Sequence, residues 1–152
     1  MDRLLETLDD AECRRLLGSG RLGRLGFTDG ALPAIVPVPF VLDGDSIVIP
    51  ARPGDTVLGA VRGSVVAFAV DSYDLDSGTG WGVTAVGPSR VVLGSRPDTA
   101  PSATPDALLG GGGRPCTIVV RVGLLRGWRL SFPPGLPPAT AAAVPDPRAG
   151  IR

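Results

Sequence analysis

Apolar residues recur along this chain with two different periods, and the places where the period changes mark its elements. From Leu8 to Leu17 the spacing is helical. Asp9 is an N-cap with Glu12 three residues later, the spacing of a capping box, and Leu8 and Cys13 occupy the staple positions around it. Cys13, Leu16 and Leu17 form the stripe to be buried, and Gly18 and Gly20 stop the helix. From Arg21 the period falls to two. A strand through Leu22, Arg24, Leu25 and Phe27 leads into Asp29-Gly30, a tight-turn dipeptide. The next strand, 31–42, carries Pro33, Pro37 and Pro39. Proline gives no donor to a β-ladder, so this strand is expected at an edge, or open toward a ligand or a second subunit. Asp43-Gly44 turns the chain into Ser46-Ile47-Val48-Ile49, and these three strands read as an antiparallel meander.

Pro53-Gly54-Asp55 then starts a short helix over 56–62, with Asp55 as its cap. Residues 64–70 read as a strand buried on both faces, 71–80 as an acidic loop, and 81–93 as a long strand with a bulge or bend at Gly87-Pro88. Residues 116–122 and 125–132 are expected to close the sheet as a hairpin. Between them, 94–115 is rich in Gly, Pro, Ser and Asp, with one helical piece at 106–109 and a flexible Gly110–Gly113 run. The last stretch, 133–152, has many prolines and no period, and is expected to be a disordered tail. The pattern therefore predicts one mainly β domain over 1–132 with flanking helices: six to seven antiparallel strands in a barrel or sandwich.

Composition narrows the function classes. The 152 residues, 43% of them hydrophobic, suit one domain with a real core. Fifteen basic and fifteen acidic residues balance, so no charge excess points to nucleic acid or to a membrane surface. Arg14, Arg15, Arg21 and Arg24 cluster, but Asp9, Asp10 and Glu12 offset them. No apolar run approaches the ~20 residues of a membrane span. The acidic, amphipathic start is unlike a signal peptide, so a cytoplasmic protein with two unpaired thiols, Cys13 and Cys116, is expected. The sequence contains no His, Lys, Asn or Gln. That excludes Schiff-base and P-loop lysines, imidazole dyads, and histidine ligation of metal or haem. An enzyme of this composition borrows its chemistry, most simply from a bound organic cofactor.

Few motifs survive their context. Gly18-Ser19-Gly20-Arg21-Leu22-Gly23 matches a dinucleotide-binding spacing but follows a helix and precedes a strand, the reverse of what that motif needs. Asp71, Asp74 and Asp76 lack the later Glu of a calcium loop and read as a solvated turn. Trp81 and Trp128 sit beside Gly80, Gly82 and Gly127, and core packing and a ligand wall both remain open for them. The Pro50–Thr56 corner could receive an anion with help from Arg52 and Thr56, although Asp55 would occupy the same amides.

Taken in order, L-x-x-x-E-C-x-x-L-L, G-R-L-G-F, P-A-I-V-P-V-P-F, D-G-D-S-I-V-I, P-G-x-x, V-R-G-S-V-V-A-F-A-V-D and G-T-G-W-G-V-T-A-V-G resemble the pyridoxamine 5′-phosphate oxidase-like, FMN-binding split-barrel family, in its small actinobacterial form. The likeness runs from Leu8 to Phe132. It implies a split β-barrel and a homodimer holding FMN or a deazaflavin at its interface. It also implies hydride transfer to or from a small organic substrate. By position, Pro37, Val38, Pro39 and Phe40 would lie under the ring system, and Arg52, Asp55 and Thr56 would meet the phosphate. Trp81 and Gly82 would border the ring edge, while Trp128 and Arg129 of the other subunit would close the site. The sequence departs from the family pattern at the phosphate corner. Members usually carry Arg or Thr where Pro50 and Ala51 stand, Ser for Asp55 and Lys for Thr56, and often Ser for Gly82. A cofactor-free dimer that binds a small molecule or a partner protein is the competing expectation.

Overall fold

Local chemistry sets the ends of the elements in the computed structural model, which describes residues 4–94 and 115–131. Strand β1 (Leu4–Thr7) precedes helix α1 (Asp10–Ser19). The Asp9 side chain accepts from the Glu12 amide at 2.8 Å, a cap worth about 1 kcal/mol. The Glu12 carboxylate does not complete a capping box; it turns to Arg15 at 2.6 Å and Arg129 at 3.3 Å. Cys13, Leu16 and Leu17 are the buried stripe, as the spacing predicts. Strands β2 (Leu22–Asp29) and β3 (Leu32–Pro39) form a hairpin through Gly30, whose φ of 61° lies in the left-handed region. Strands β4 (Val41–Asp43) and β5 (Ser46–Ala51) form another through Gly44. Then come helix α2 (Thr56–Val61), strands β6 (Val65–Asp74) and β7 (Thr79–Leu93), and strands β8 (Cys116–Arg121) and β9 (Leu124–Ser131).

All strand pairs are antiparallel, in the order β3-β2-β6-β7-β8-β5-β4, with β9 between β7 and β1. The described residues hold nine strands rather than six or seven. Leu4–Thr7 adds a strand along β9, and the expected 31–42 strand breaks at Phe40 into β3 and β4. That break changes the meander. Phe40 carries the chain from one end of the main strand order to the other, so β3 and β4 are its two end strands in an open, barrel-like sheet, and β1 is a third edge beyond β9. The proline strand is thus an edge, pairing only with β2 among the described residues. Pro33, Pro37 and Pro39 share one parity, and all three are exposed while Ala34, Val36 and Val38 pack on the core.

Three further expectations are corrected. Residues 64–70 are not buried on both faces. Val66, Phe68 and Val70 point into the core, whereas Val65 is 70% exposed. The expected acidic loop is mostly strand: β6 runs to Asp74, whose carboxylate accepts from the Asp76 and Ser77 amides and closes a short turn into β7. Finally, β8 and β9 are not a hairpin. They lie end to end along the same edge of β7, where Ser89 faces Val120 and Val86 faces Leu124. Two residues of β7, Gly87 and Pro88, therefore oppose three, Arg121, Val122 and Gly123, which is a β-bulge. The expected irregularity at Gly87-Pro88 is there, with the extra residue on the facing strand. The helical piece at 106–109, the Gly110–Gly113 run, Phe132 and the 133–152 tail lie outside the described residues.

One core fills the interior, with Phe40, Phe68, Leu17, Leu25, Ile47, Ile49 and Val61 fully enclosed. Phe40 and Phe68 meet edge to face, their centroids 4.7 Å apart. The buried Ser89 hydroxyl ties the end of α2 to β7 by donating toward the Val61 and Ser64 carbonyls. Packing of α1 on the sheet depends on Gly127, where a Cβ would sit 2.5 Å from Cys13 Sγ. Gly127→Ala should therefore cost about 1–3 kcal/mol by overpacking. In a Cys13→Ala background the added cost should fall by about 0.5 kcal/mol or more, read from denaturant melts of all four variants.

Candidate functional site

The site begins at the proline edge. Pro37 and Pro39 are exposed, Val38 is half-buried against the core, and Phe40 is wholly buried. Four consecutive residues thus divide between surface and interior. Only Pro37, Pro39 and part of Val38 are available to a ligand, because the Phe40 ring is committed to Phe68.

The strand-to-helix corner follows β5. Arg52, Asp55 and Thr56 are all exposed there. The turn is held by the Asp55 amide donating to the Arg52 carbonyl at 3.1 Å, with Gly54 at a φ of 89°. Asp55 occupies the N-cap position, but its side chain makes no cap hydrogen bond. This corrects the expectation that its carboxylate fills the helix amides. Its carbonyl accepts from the Leu58 amide at 3.1 Å, and the carboxylate stays in water, where solvation competes with a cap. Among the described residues Arg52 has no ion pair.

The tryptophans are not brought together. Trp81 faces the core side of β7, packed against the buried cluster. Gly82 faces the outer side, directly across from Trp128 of the same chain. A Cβ on Gly82 would lie 2.9 Å from the Trp128 ring, so the flat group that approaches this glycine is Trp128 itself. Its indole N–H donates to the Tyr73 hydroxyl at 3.2 Å. Arg129 points to the opposite face and pairs with Glu12. Hydrogen bonding from Arg15, assisted by the charges of Arg15 and Arg129, holds the Glu12 carboxyl below its usual range.

The sequence reading missed the outer face on which Trp128 lies. There, Leu22, Ile35, Val65 and Leu124 are exposed around the small residues Gly26, Ala67 and Ala69, and Arg24 pairs with Asp71. The signal was present as the size alternation of Val65 to Val70, where large Val66, Phe68 and Val70 point inward and small Ala67 and Ala69 outward. Among the described residues no three of His, Cys, Asp and Glu gather to hold a metal ion. No helix among them is long and apolar enough to cross a membrane.

Known proteins place this geometry. A family model described as pyridoxamine 5′-phosphate oxidase matches residues 9–111. The uncharacterized protein Rv0080 of Mycobacterium tuberculosis is 40% identical over 85 residues, and that match takes in 53% of this chain and 56% of the relative. The chain thus spans about half the length of that curated relative. Among solved structures, an FAD-binding protein from Mycobacterium smegmatis aligns with a TM-score of 0.63 at 24% identity, over 83% of this chain and 98% of that one. An FAD-binding protein from Mesorhizobium loti aligns with a TM-score of 0.65 at 19% identity, over 85% and 99%. These likenesses establish the fold as the split barrel that the motif order implied.

Both thiols are buried and free. Burial, then the charges of Asp10, Asp9 and Glu12, pushes the Cys13 thiol up; burial, then Asp55, does the same to Cys116. Alkylation by iodoacetamide at pH 8 should therefore run more than about tenfold slower in the native protein than in denaturant. The unfolded thiols ionise first, near their ordinary value of 9.0, while the native ones keep their protons. Stability should accordingly fall as pH rises above that value, as read from melts between pH 8 and 10.

Proposed function

The chain belongs to the pyridoxamine 5′-phosphate oxidase family, and from that premise we propose that it is a flavin-binding protein that transfers hydride to or from a small organic substrate. The observation that carries this reading is the family match itself, which takes in β2 to β7 and the corner at Arg52. A bound flavin would supply the redox chemistry that a chain without His or Lys lacks. The residues fit a flat ring system: Pro37 and Pro39 are rigid and exposed on a free edge, and Val38 is half-exposed beside them. Their role is to orient the ring and exclude water from one of its faces. Arg52 is the corner's free cation, able to hold a phosphate oxygen by a charge-assisted, forked contact.

The corner also bears on which flavin. A terminal phosphate monoester, as in FMN, carries about −1.5 to −2 charges at pH 7. In a diphosphate diester such as FAD the same charge is spread over two groups. Asp55 and Thr56, standing where the resemblance expects Ser and Lys, disfavour concentrated negative charge. The M. smegmatis and M. loti neighbours are described as FAD-binding. We take FAD as the preferred ligand on these grounds. Titration of the purified protein with FAD, FMN and a deazaflavin, followed by flavin fluorescence, should give the tightest binding for FAD. Asp55→Ser with Thr56→Lys should then tighten FMN about tenfold or more, and FAD less. A protein that is colourless and binds none of the three at micromolar levels would sink this reading in favour of a cofactor-free dimer. Arg52→Ala should weaken whichever flavin binds.

A second copy of the chain is proposed to cover the outer face around Ala67 and Ala69. Exposed Leu22, Ile35 and Val65 there form an apolar surface with small residues at its centre, which suits close approach of a partner sheet. Light scattering should give a dimer, and Ala67→Arg should give a monomer.

A further inference from the structure

On the far side of the bulge, the sheet carries a groove of about 460 Å³ lined by Ser46, Pro88, Ser89, Arg90, Val119 and Arg121. Its volume lies in the ~300–1,000 Å³ range of small-molecule sites. Arg90 faces Val119 across the β7–β8 ladder, and Arg121 follows two residues on, so both arginines stand on one face as diagonal neighbours. Diagonal positions on a sheet face lie about 7–8 Å apart, within reach of long side chains. Both arginines are exposed and, like Arg21, Arg52, Arg62 and Arg126, neither has a carboxylate partner among the described residues; what sets the pair apart is that the two stand side by side on one face. Asp43, across from Ser46 on β4, makes no ion pair with either. Two like charges side by side are unfavourable until an anion joins them. Arg121 is the last residue of β8 before the bulge, faces Ser46 across the β5–β8 ladder, and lays its carbonyl against Gly87. The Ser89 hydroxyl is turned inward to Val61 and Ser64, so the groove's free polar groups are the two guanidinia and the Ser46 hydroxyl.

We propose that Arg90 and Arg121, with Ser46, form an oxyanion-binding groove that takes the phosphate or diphosphate group of a small molecule. Two planar guanidinium forks match the oxygens of a phosphate, and Pro88 and Val119 give its organic part an apolar floor. With only two cations and a net charge of zero, the groove fits a small ligand rather than a nucleic-acid backbone.

Inorganic pyrophosphate, titrated calorimetrically into the full chain, is the probe. Binding is expected, with a loss of about tenfold or more in Arg90→Ala/Arg121→Ala and a smaller loss in Arg121→Lys, which keeps charge but not the fork. Absence of binding, or equal binding by the double variant, would overturn the proposal. Riboflavin and FAD identify the source of the phosphate. If the double variant weakens FAD but not riboflavin, the groove holds the cofactor's diphosphate. If both flavins are unaffected while pyrophosphate binding is lost, it serves a separate phosphate-bearing ligand. Equal loss of riboflavin and FAD would mean a damaged fold and would overturn it. Pyrophosphate binding does not depend on the flavin reading, so either can fail alone.

Discussion

Gly87 lies so close to the Arg121 carbonyl that a Cβ there would sit 1.7 Å from its oxygen. No side chain larger than hydrogen is compatible with that approach. The rest of the structure depends on it, because β7 has to serve two different neighbours along one edge, β9 before the glycine and β8 after it. The bulge absorbs one residue of register at the crossing and bends the sheet, so that the β9 side covers α1 and the β8 side leads round to β5 and β4. Beside it, Ser89 fastens α2 across the barrel interior. One close approach at one backbone position thus lets a single strand edge serve two neighbours in turn.

What could be read in the sequence was local. Asp9 and Glu12 announced a helix start because capping acts over three residues. Asp29-Gly30 and Asp43-Gly44 announced turns because their φ requirement belongs to single residues. The prolines of β3 announced an edge because a missing donor has the same consequence in any sheet. The pairings between distant segments were not legible. Residues 116–131 looked like a hairpin since both halves alternate and a glycine lies between them. Their real partner is the long strand at 79–93, and nothing local distinguishes the two arrangements. The outer face escaped for a related reason: a run such as Val65–Val70 is apolar at every position, and only the size alternation tells which side meets the core.

The candidate site divides along the same line. Pro37, Pro39 and Arg52 stand at the surface as residue chemistry suggested, while Phe40 went to the core and Trp128 took the space over Gly82 of its own chain. Neither outcome follows from residue type. Phe40 is enclosed because the chain must cross the barrel there, and Trp128 is placed by a register set at the bulge some distance away. The arginines make the complementary point. With every basic residue an arginine, sequence alone cannot separate those that staple the surface from those left free. Geometry does so by giving carboxylates to Arg14, Arg15, Arg24 and Arg129 and leaving Arg21, Arg52, Arg62, Arg90, Arg121 and Arg126 without one among the described residues.

The shared parity of Pro33, Pro37 and Pro39 has a consequence for how molecules of this protein can meet. The positions that would offer donors along the free side of β3 carry none at three places, so another strand cannot extend the sheet there by a continuous ladder. Open-ended, edge-to-edge growth, the route by which exposed strands seed fibres, is blocked at this margin by covalent structure and not by charge. The block therefore persists at any salt concentration or pH. At the β3 margin the sheet can thus remain unclosed without offering a continuous template to a further strand.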